Sequence, residues 1–327
     1  MQAQVITRFG GPECLELAEV AKPEVGHGQV LVRIHAASVN PVDIKIREGL
    51  PIGPELPAIL GADLAGVVEA TGAGVTGFAI GDEVYGCAGG VKGQGGTLAQ
   101  YIAADARLLA PKPKTLSFCE AAALPLVSIT AWEAVERAAI KANQDVLVHG
   151  GLGGVGHIAV QLARHAGARV STTLSARGDA SLAQAFGADE VIDYSAESVA
   201  DYVQRITRGR GFDVIIDTVG GQNLLKSFEA AAIGGQVSTT NARATIDLGN
   251  MHAKALSLHL VFMLLPMLRG EGRERHGEIL RELGKIVDAG GVRPLIDPRR
   301  FNLAEAAEAH RHLASGEAVG KIVINVD

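Results

Sequence analysis

Residues 145–166 read DVLVHGGLGGVGHIAVQLARHA, and the fold turns on how this stretch is read. Val146, Leu147 and Val148 make a short apolar run of strand type. Gly150, Gly151, Gly153, Gly154 and Gly156 follow, broken only by Leu152 and Val155. Val155, Ile158, Ala159, Leu162 and Ala166 then recur at helical spacing, and Gly167 supplies a stop. Gly151, Gly153 and Gly156 fit G-x-G-x-x-G between a strand and a helix, the setting in which that pattern grips a dinucleotide. Glycine lets the backbone turn tightly and approach a diphosphate, which the first N–H groups of the helix then face. In a chain with 41 glycines the bare pattern is weak, and a tight turn with no ligand is the plain alternative. A second strand-like run, RVSTT at residues 169–173, completes a strand–turn–helix–strand unit and favours the dinucleotide reading. Gly151, Gly153, Gly154, Val155 and Gly156 are its expected phosphate-facing residues.

Outward from this unit, apolar runs and helical stripes alternate. Strands are expected at residues 170–174, 190–193, 212–217, 235–240 and 256–263, and helices at 179–186, 197–207 and 222–232. Six strands with intervening helices predict a doubly wound parallel sheet in the order 3-2-1-4-5-6. Residues 1–116 have a different texture: short strand candidates at 30–35, 64–69 and 97–102 lie between glycine and proline breaks, as in a barrel with many turns. PKPK at 111–114 ends that region. Helices are expected at 118–124 and 130–141, two more at 273–289 and 303–314, and the closing run at 321–325 is expected to return to the N-terminal barrel.

Composition bounds the function. At 327 residues the chain is expected to hold two domains. Its net charge of −6, without a basic run, gives no attraction to nucleic acid or an anionic membrane. No apolar stretch has the length of a membrane span, and the N-terminus has no signal-peptide core. Three cysteines far apart, Cys14, Cys87 and Cys119, point to a reducing cytoplasm, with Cys119 read as a core thiol.

Six stretches together resemble one family: SVNPVDIKIREG (38–49), LGADLAGVVEATGAGVTGFAIGDEVYG (60–86), GGTLAQYIA (95–103), LPLVSITAWEAV (124–135), HGGLGGVGHIAVQLAR (149–164) and AEAHRHLASGEAVGKIVI (307–324). They are similar to the zinc-independent quinone oxidoreductase, zeta-crystallin-like branch of the medium-chain dehydrogenase/reductase superfamily. The resemblance implies an α/β protein with a GroES-like β-barrel catalytic domain from residues 1–124 and 266–327, and a Rossmann domain with its doubly wound parallel sheet at 125–265. It also implies an active site in the cleft between them. Two positions depart from the pattern: Gln100 stands where a glutamate is usual, and Lys45 where some relatives carry a tyrosine. Where zinc-dependent members hold their metal, this chain reads Asn40-Pro41-Val42-Asp43 and Gly61-Ala62-Asp63, and three cysteines cannot build a four-cysteine site. No metal is expected.

Past the second strand the chain reads Thr173-Leu174-Ser175-Ala176-Arg177-Gly178, without the carboxylate that binds an NAD ribose. Ser175 and Arg177 offer a hydroxyl and a guanidinium instead, which favours NADPH; the alternative makes Arg177 a solvated loop residue and Asp179 a helix cap. By resemblance, Tyr194 lies near the 2′-phosphate, Thr130, Thr240 and Asn241 frame the nicotinamide, and Asn40 and Asp43 lie on the barrel side of the cleft. Asn40 is a candidate donor to a substrate oxygen, against a plain turn role before Pro41. Asp43 is expected to pair with Arg47 at i,i+4, and Lys45 is a candidate proton donor set against an ordinary exposed lysine. The expected function is NADPH-dependent reduction of quinones or other electron-poor α,β-unsaturated carbonyls. The alternatives are a zinc-type alcohol dehydrogenase and a non-enzymatic, crystallin-like NADPH-binding protein. A homodimer through the sixth Rossmann strand is expected by resemblance.

Overall fold

The computed structural model describes residues 1–176 and 178–326. The chain forms two compact units, one of Met1–Ile129 with Leu264–Asp327 and one of Thr130–Met263. The division falls inside the helix Pro125–Arg137. That helix starts at a proline, whose missing N–H costs nothing in a first turn, so it begins earlier than the helical stripe at 130–141 predicts.

The central unit carries a parallel sheet of β1 (Asp145–His149), β2 (Arg169–Leu174), β3 (Glu190–Asp193), β4 (Phe212–Asp217), β5 (Ala231–Thr239) and β6 (Ser257–Leu260), in the order 3-2-1-4-5-6. Burial follows position in the sheet. All five residues of β1 and five of the six in β4 are buried, whereas the edge strands β3 and β6 have one buried residue and none. A parallel strand covered on both faces has no room for polar alternation, which is why DVLVH and FDVIID read as nearly continuous apolar runs. Leu147, Phe212, Ile215, Phe228 and Val237 pack into one core beneath the sheet; truncating Leu147 to alanine costs about 2–5 kcal/mol. The sixth strand is shorter than the apolar run at 256–263 suggests: Val261 N makes a last bond to Thr239 O, and beyond it Met263 and Leu264 leave the sheet and pack as buried side chains while Phe262 stays exposed.

The other unit is antiparallel except for one edge pair, Phe301–Asn302 with Ile322–Asn325, which is parallel. Its seven-stranded sheet runs Phe301–Asn302, Ile322–Asn325, Gln29–Val39, Asp63–Thr71, Glu83–Cys87, Leu109–Pro111, with Tyr101–Asp105 also paired to Gln29–Val39. A smaller sheet joins Glu16–Glu19, Gln2–Ile6 and Ala58–Ile59. The closing strand pairs antiparallel with the N-terminal one, Ile322 opposite Val39, so both chain ends build this unit. Cys14 and Cys87 are buried and Cys119 only partly so, which corrects the reading of Cys119 as a core thiol; none of the three is in a disulfide.

Candidate active site

In the central unit the glycine-rich turn leaves the end of β1, next to the place where strand order reverses between β1 and β4. Open α/β sheets hold their ligands at the carboxyl ends of strands there. The glycines of this turn differ in what the packing asks of them. Gly150 has φ +75°, a left-handed conformation. A Cβ on Gly151 would stand 2.0 Å from Thr172 Oγ1, and one on Gly156 would stand 2.0 Å from the carbonyl oxygen of Gly150. Both glycines are fixed by packing between the helix start and the strands. Gly153 is different: a Cβ there would meet only Gly150 O, at a close 3.2 Å rather than in a clash, and its φ of −76° suits any residue. Gly153 is the N-cap of the helix Gly154–His165 and no side chain caps that helix. The N–H groups of Gly154, Val155 and Gly156 have no intrahelical acceptor, so the end of this helix is a set of convergent donors with a partial positive charge.

Side chains of neighbouring strand ends tighten the notch. Thr173 Oγ1 accepts from Gly150 N at 3.1 Å and lies 3.3 Å from His149 Nδ1. His149 is buried, and that burial pushes its pKa down and keeps the ring neutral. Thr218 Oγ1 donates to His149 O at 2.6 Å. Asp217, fully buried at the end of β4, accepts from Val219 N, Gly220 N and Ser227 Oγ and thereby sets the loop that follows. None of Thr172, Thr173, Asp217 and Thr218 stands out in the sequence as a site residue; hydroxyl-rich ends on two strands (STT and DT) are the only hint.

The other candidates of this unit fall at the same edge. Ser175 follows β2 and is exposed; Tyr194 follows β3, is half exposed, and donates its backbone N–H to Leu174 O at 3.2 Å. The structure therefore sets Ser175 and Tyr194 at adjacent strand ends. Arg177 lies outside the described residues. Asp179 accepts from Leu182 N at 3.1 Å as an N-cap, so its carboxylate is occupied in the next helix. Thr240 and Asn241 follow β5, where Thr240 N bonds Asp217 O and Asn241 O accepts from Gly221 N, tying this loop to the one after β4. Thr130 is buried at the first residue of the unit.

In the antiparallel unit, strand register builds a buried polar cluster. Ser38 pairs with Asp63, Asp63 with Cys87, and Ile322 with Val39, which sets Lys321 beside Asn40. Asp63 is fully buried and accepts from Ser38 Oγ (2.8 Å), Asn40 Nδ2 (2.9 Å) and Leu126 N (2.8 Å). Lys321 Nζ donates to Val39 O at 3.0 Å and to Asn40 Oδ1, and lies 3.5 Å from Asp63. The Asn40 amide is thus engaged with Asp63 through Nδ2 and with Lys321 through Oδ1, and is fully buried. Asp43 does not pair with Arg47. Its Oδ2 accepts from Asn40 N at 2.8 Å, closing the first turn of Pro41–Arg47, while the Arg47 guanidinium goes to Gly10 O, His310 and Glu48. Burial, then the nearby Asp63 charge, pushes the Asp43 pKa up to about 7; burial pushes the Lys321 ammonium down against the pull of Asp63 and Asp43. Lys45 is exposed on the outer side of its helix. Asp63 and Lys321 are missed by motif reading, although a lone charge inside an apolar strand run (GADLAGVV, GKIVI) is a usable signal, since such a charge is buried only with a partner. Among the described residues no group of three or more His, Cys, Asp or Glu side chains converges as a metal site.

Comparison with known proteins supplies the family. Residues 26–114 match the family described as alcohol dehydrogenase GroES-like domain, and residues 186–324 match the one described as zinc-binding dehydrogenase. The chain is 37% identical to 2-methylene-furan-3-one reductase of Solanum lycopersicum, over 99% of this chain and 79% of that protein. It is 31% identical to quinone oxidoreductase of Homo sapiens, over 99% and 97%. The crystal structure of Escherichia coli quinone oxidoreductase complexed with NADPH superposes with a TM-score of 0.89 at 27% identity, covering 100% of both chains. The chain therefore belongs to the medium-chain dehydrogenase/reductase superfamily, in its zinc-independent quinone oxidoreductase branch.

Proposed function

We propose that this protein is an NADPH-dependent oxidoreductase that reduces quinones or other electron-poor α,β-unsaturated carbonyls. The observation that carries the reading is Gly153: an uncapped helix N-terminus whose cap position is kept bare although the protein's own packing asks little of it. Such a notch fits a diphosphate. In this reading Gly151, Gly153, Gly154, Val155 and Gly156 hold the diphosphate. Ser175 and Tyr194, together with Arg177, receive the 2′-phosphate, and Thr130, Thr240 and Asn241 position the nicotinamide. Bound NADPH supplies a hydride to the acceptor. The chain's own work is to bind, orient and exclude water. Asp217 and Thr218 hold the loop beside the notch, and a neutral His149 adds no positive charge there. Asn40, Asp43 and Lys45 remain the barrel-side candidates. Asn40 and Asp43 act as a fixed, buried polar frame, and exposed Lys45 is the one with a side chain free to deliver a proton.

The names of the relatives, a furanone reductase and quinone oxidoreductases, support the acceptor class. The catalytic domain is read as residues 1–124 and 266–327 and the nucleotide domain as 125–265. The protein is read as cytoplasmic, with no helix among the described residues long and apolar enough to cross a membrane. A homodimer through β6 is favoured by its outer edge, which no strand of this chain covers among the described residues, and by Leu260 and Phe262, 54% and 46% exposed there. Oxidation of NADPH at 340 nm against quinones, enals, enones and enoyl thioesters tests the function. Turnover with one of these classes and not with simple alcohols is expected; tight binding with no turnover across the panel sinks it. Sedimentation of Leu260→Lys, expected to be monomeric where the parent is dimeric, tests the assembly.

A further inference from the structure

A cavity of about 740 Å³ lies wholly within the antiparallel unit, and neither the nucleotide notch nor the Asp63 cluster uses its residues. Arg107, Arg273 and Arg281 line it, with His27, Gln94 and a single carboxylate, Asp105. Its size is within the roughly 300–1,000 Å³ usual for small-molecule sites.

Local packing explains how the guanidinium groups come together. Arg273, Gly277 and Arg281 are spaced i, i+4, i+8 and share one face of the helix Glu274–Asp288, with Arg273 at its N-cap. A Cβ on Gly277 would stand 2.6 Å from Arg107 O and 2.8 Å from Leu109 O, so only glycine lets the helix lie against the 107–109 segment. The residues four before and four after that contact are then carried to the cavity wall. Asp105 accepts from Arg107 N (3.0 Å), Nε (3.0 Å) and Nη2 (2.7 Å) and from Arg273 Nη1 (2.9 Å), which saturates it. Arg273 Nη2 donates to Met267 O at 2.7 Å, while its Nε is buried without a partner. Exposed Arg281 has no carboxylate partner among the described residues. Glu274 adds a negative charge near Arg107. Counting Asp105 and Glu274 against three guanidinium groups, the wall is still cationic, before His27 is considered. A buried guanidinium N–H with no acceptor is costly to keep, and an arginine-rich wall suits a planar or tetrahedral oxyanion.

We propose that this cavity binds a small phosphate-bearing polyanion, with Arg273 Nε and the Arg281 guanidinium as its free donors and Asp105 as the internal anion that competes with the ligand for Arg107 and Arg273. The site needs no property of the nucleotide notch and stands independently of the function proposed above.

Calorimetric titration of the full-length protein with inorganic pyrophosphate, in metal-free buffer with and without saturating NADPH, tests this. One pyrophosphate is expected to bind with NADPH present. Arg281→Ala is expected to weaken that binding by roughly tenfold or more, the scale of one charged hydrogen-bond partner. Asp105→Asn, which keeps an acceptor for Arg107 N but removes the competing charge, is expected to tighten it several-fold, on the order of one such interaction. Loss of structure would weaken binding in both variants, so opposite signs identify the site. Absence of saturable binding with NADPH bound would overturn the proposal, as would an Arg281→Ala affinity equal to that of the parent or an Asp105→Asn affinity that falls.

Discussion

The Cβ that Gly156 lacks would stand 2.0 Å from the carbonyl oxygen of Gly150, six residues back on the other side of the phosphate turn. That contact is backbone on backbone and has no flexible side chain to yield. Gly156→Ala is expected to cost about 1–3 kcal/mol, the scale of an overpacked core site, with weaker nucleotide binding as a consequence. Urea unfolding measures it, and a variant as stable as the parent would mean the turn can open without penalty.

Cofactor preference should follow the strand ends. Ser175 and Tyr194 are neighbours there, with no carboxylate in the sequence from Leu174 to Gly178. Ser175→Asp is expected to lower the preference for NADPH over NADH about tenfold or more, by placing a negative charge where a 2′-phosphate would sit. Arg177→Glu should act in the same direction. The ratio of kcat/KM for the two nucleotides reads the effect, and an unchanged ratio in both variants would remove this edge from the phosphate pocket.

The raised pKa of Asp43 gives stability a definite pH dependence. Between 3.8, its ordinary value, and about 7, the folded chain holds a proton that the unfolded chain has released. Stability then falls as pH rises through that window; the contribution of neutral Asp43 is complete below 3.8 and gone above about 7. Asp43→Asn stays neutral and keeps an acceptor for Asn40 N, so the difference in unfolding free energy between variant and parent should grow in the variant's favour from pH 5 to pH 8. A constant difference would show that Asp43 is ionised throughout.

His310 acts with the opposite sign. Burial and then the Arg47 charge lower its pKa from 6.5 to about 3, and its Nδ1 lies 3.1 Å from Arg47 Nη1. The unfolded chain binds the extra proton first, so this contribution is present above 6.5 and lost as pH falls towards 3. His310→Gln should therefore lose less stability than the parent on going from pH 7 to pH 4. Equal slopes in the two proteins would contradict a neutral, Arg47-facing imidazole.

Much of the fold is legible in the sequence because its signals are local. Residues 145–166 contain their own strand, turn glycines, helical stripe and stop, and the sheet order then follows from right-handed crossovers between parallel strands. Helix starts are less legible: Pro125 opens a helix whose apolar stripe only becomes visible from Thr130. The barrel side of the site is least legible. Pairing Asp43 with Arg47 is the reasonable choice from i,i+4 spacing, but Asp43 instead reaches Asn40 N, the N3-to-N-cap contact of a capping box, and Arg47 finds Gly10 O and His310, partners that no spacing rule contains. Lys321 meets Asn40 only through the register of a strand 281 residues away. Such long-range charge pairing becomes visible only once strands are paired.

The central claim is that Gly153 is bare for the sake of a diphosphate, and Gly153→Asp tests it most directly. Its backbone angles suit aspartate, a good N-cap, and such a cap adds about a few tenths of a kcal/mol over glycine at that position. The same carboxylate would occupy the donors that a diphosphate needs and repel it. Fluorescence titration with NADPH alongside thermal melting is expected to show a melting temperature at or above that of the parent and binding weakened about a hundredfold or more. A Gly153→Asp protein that melts like the parent and binds NADPH just as tightly would contradict the account.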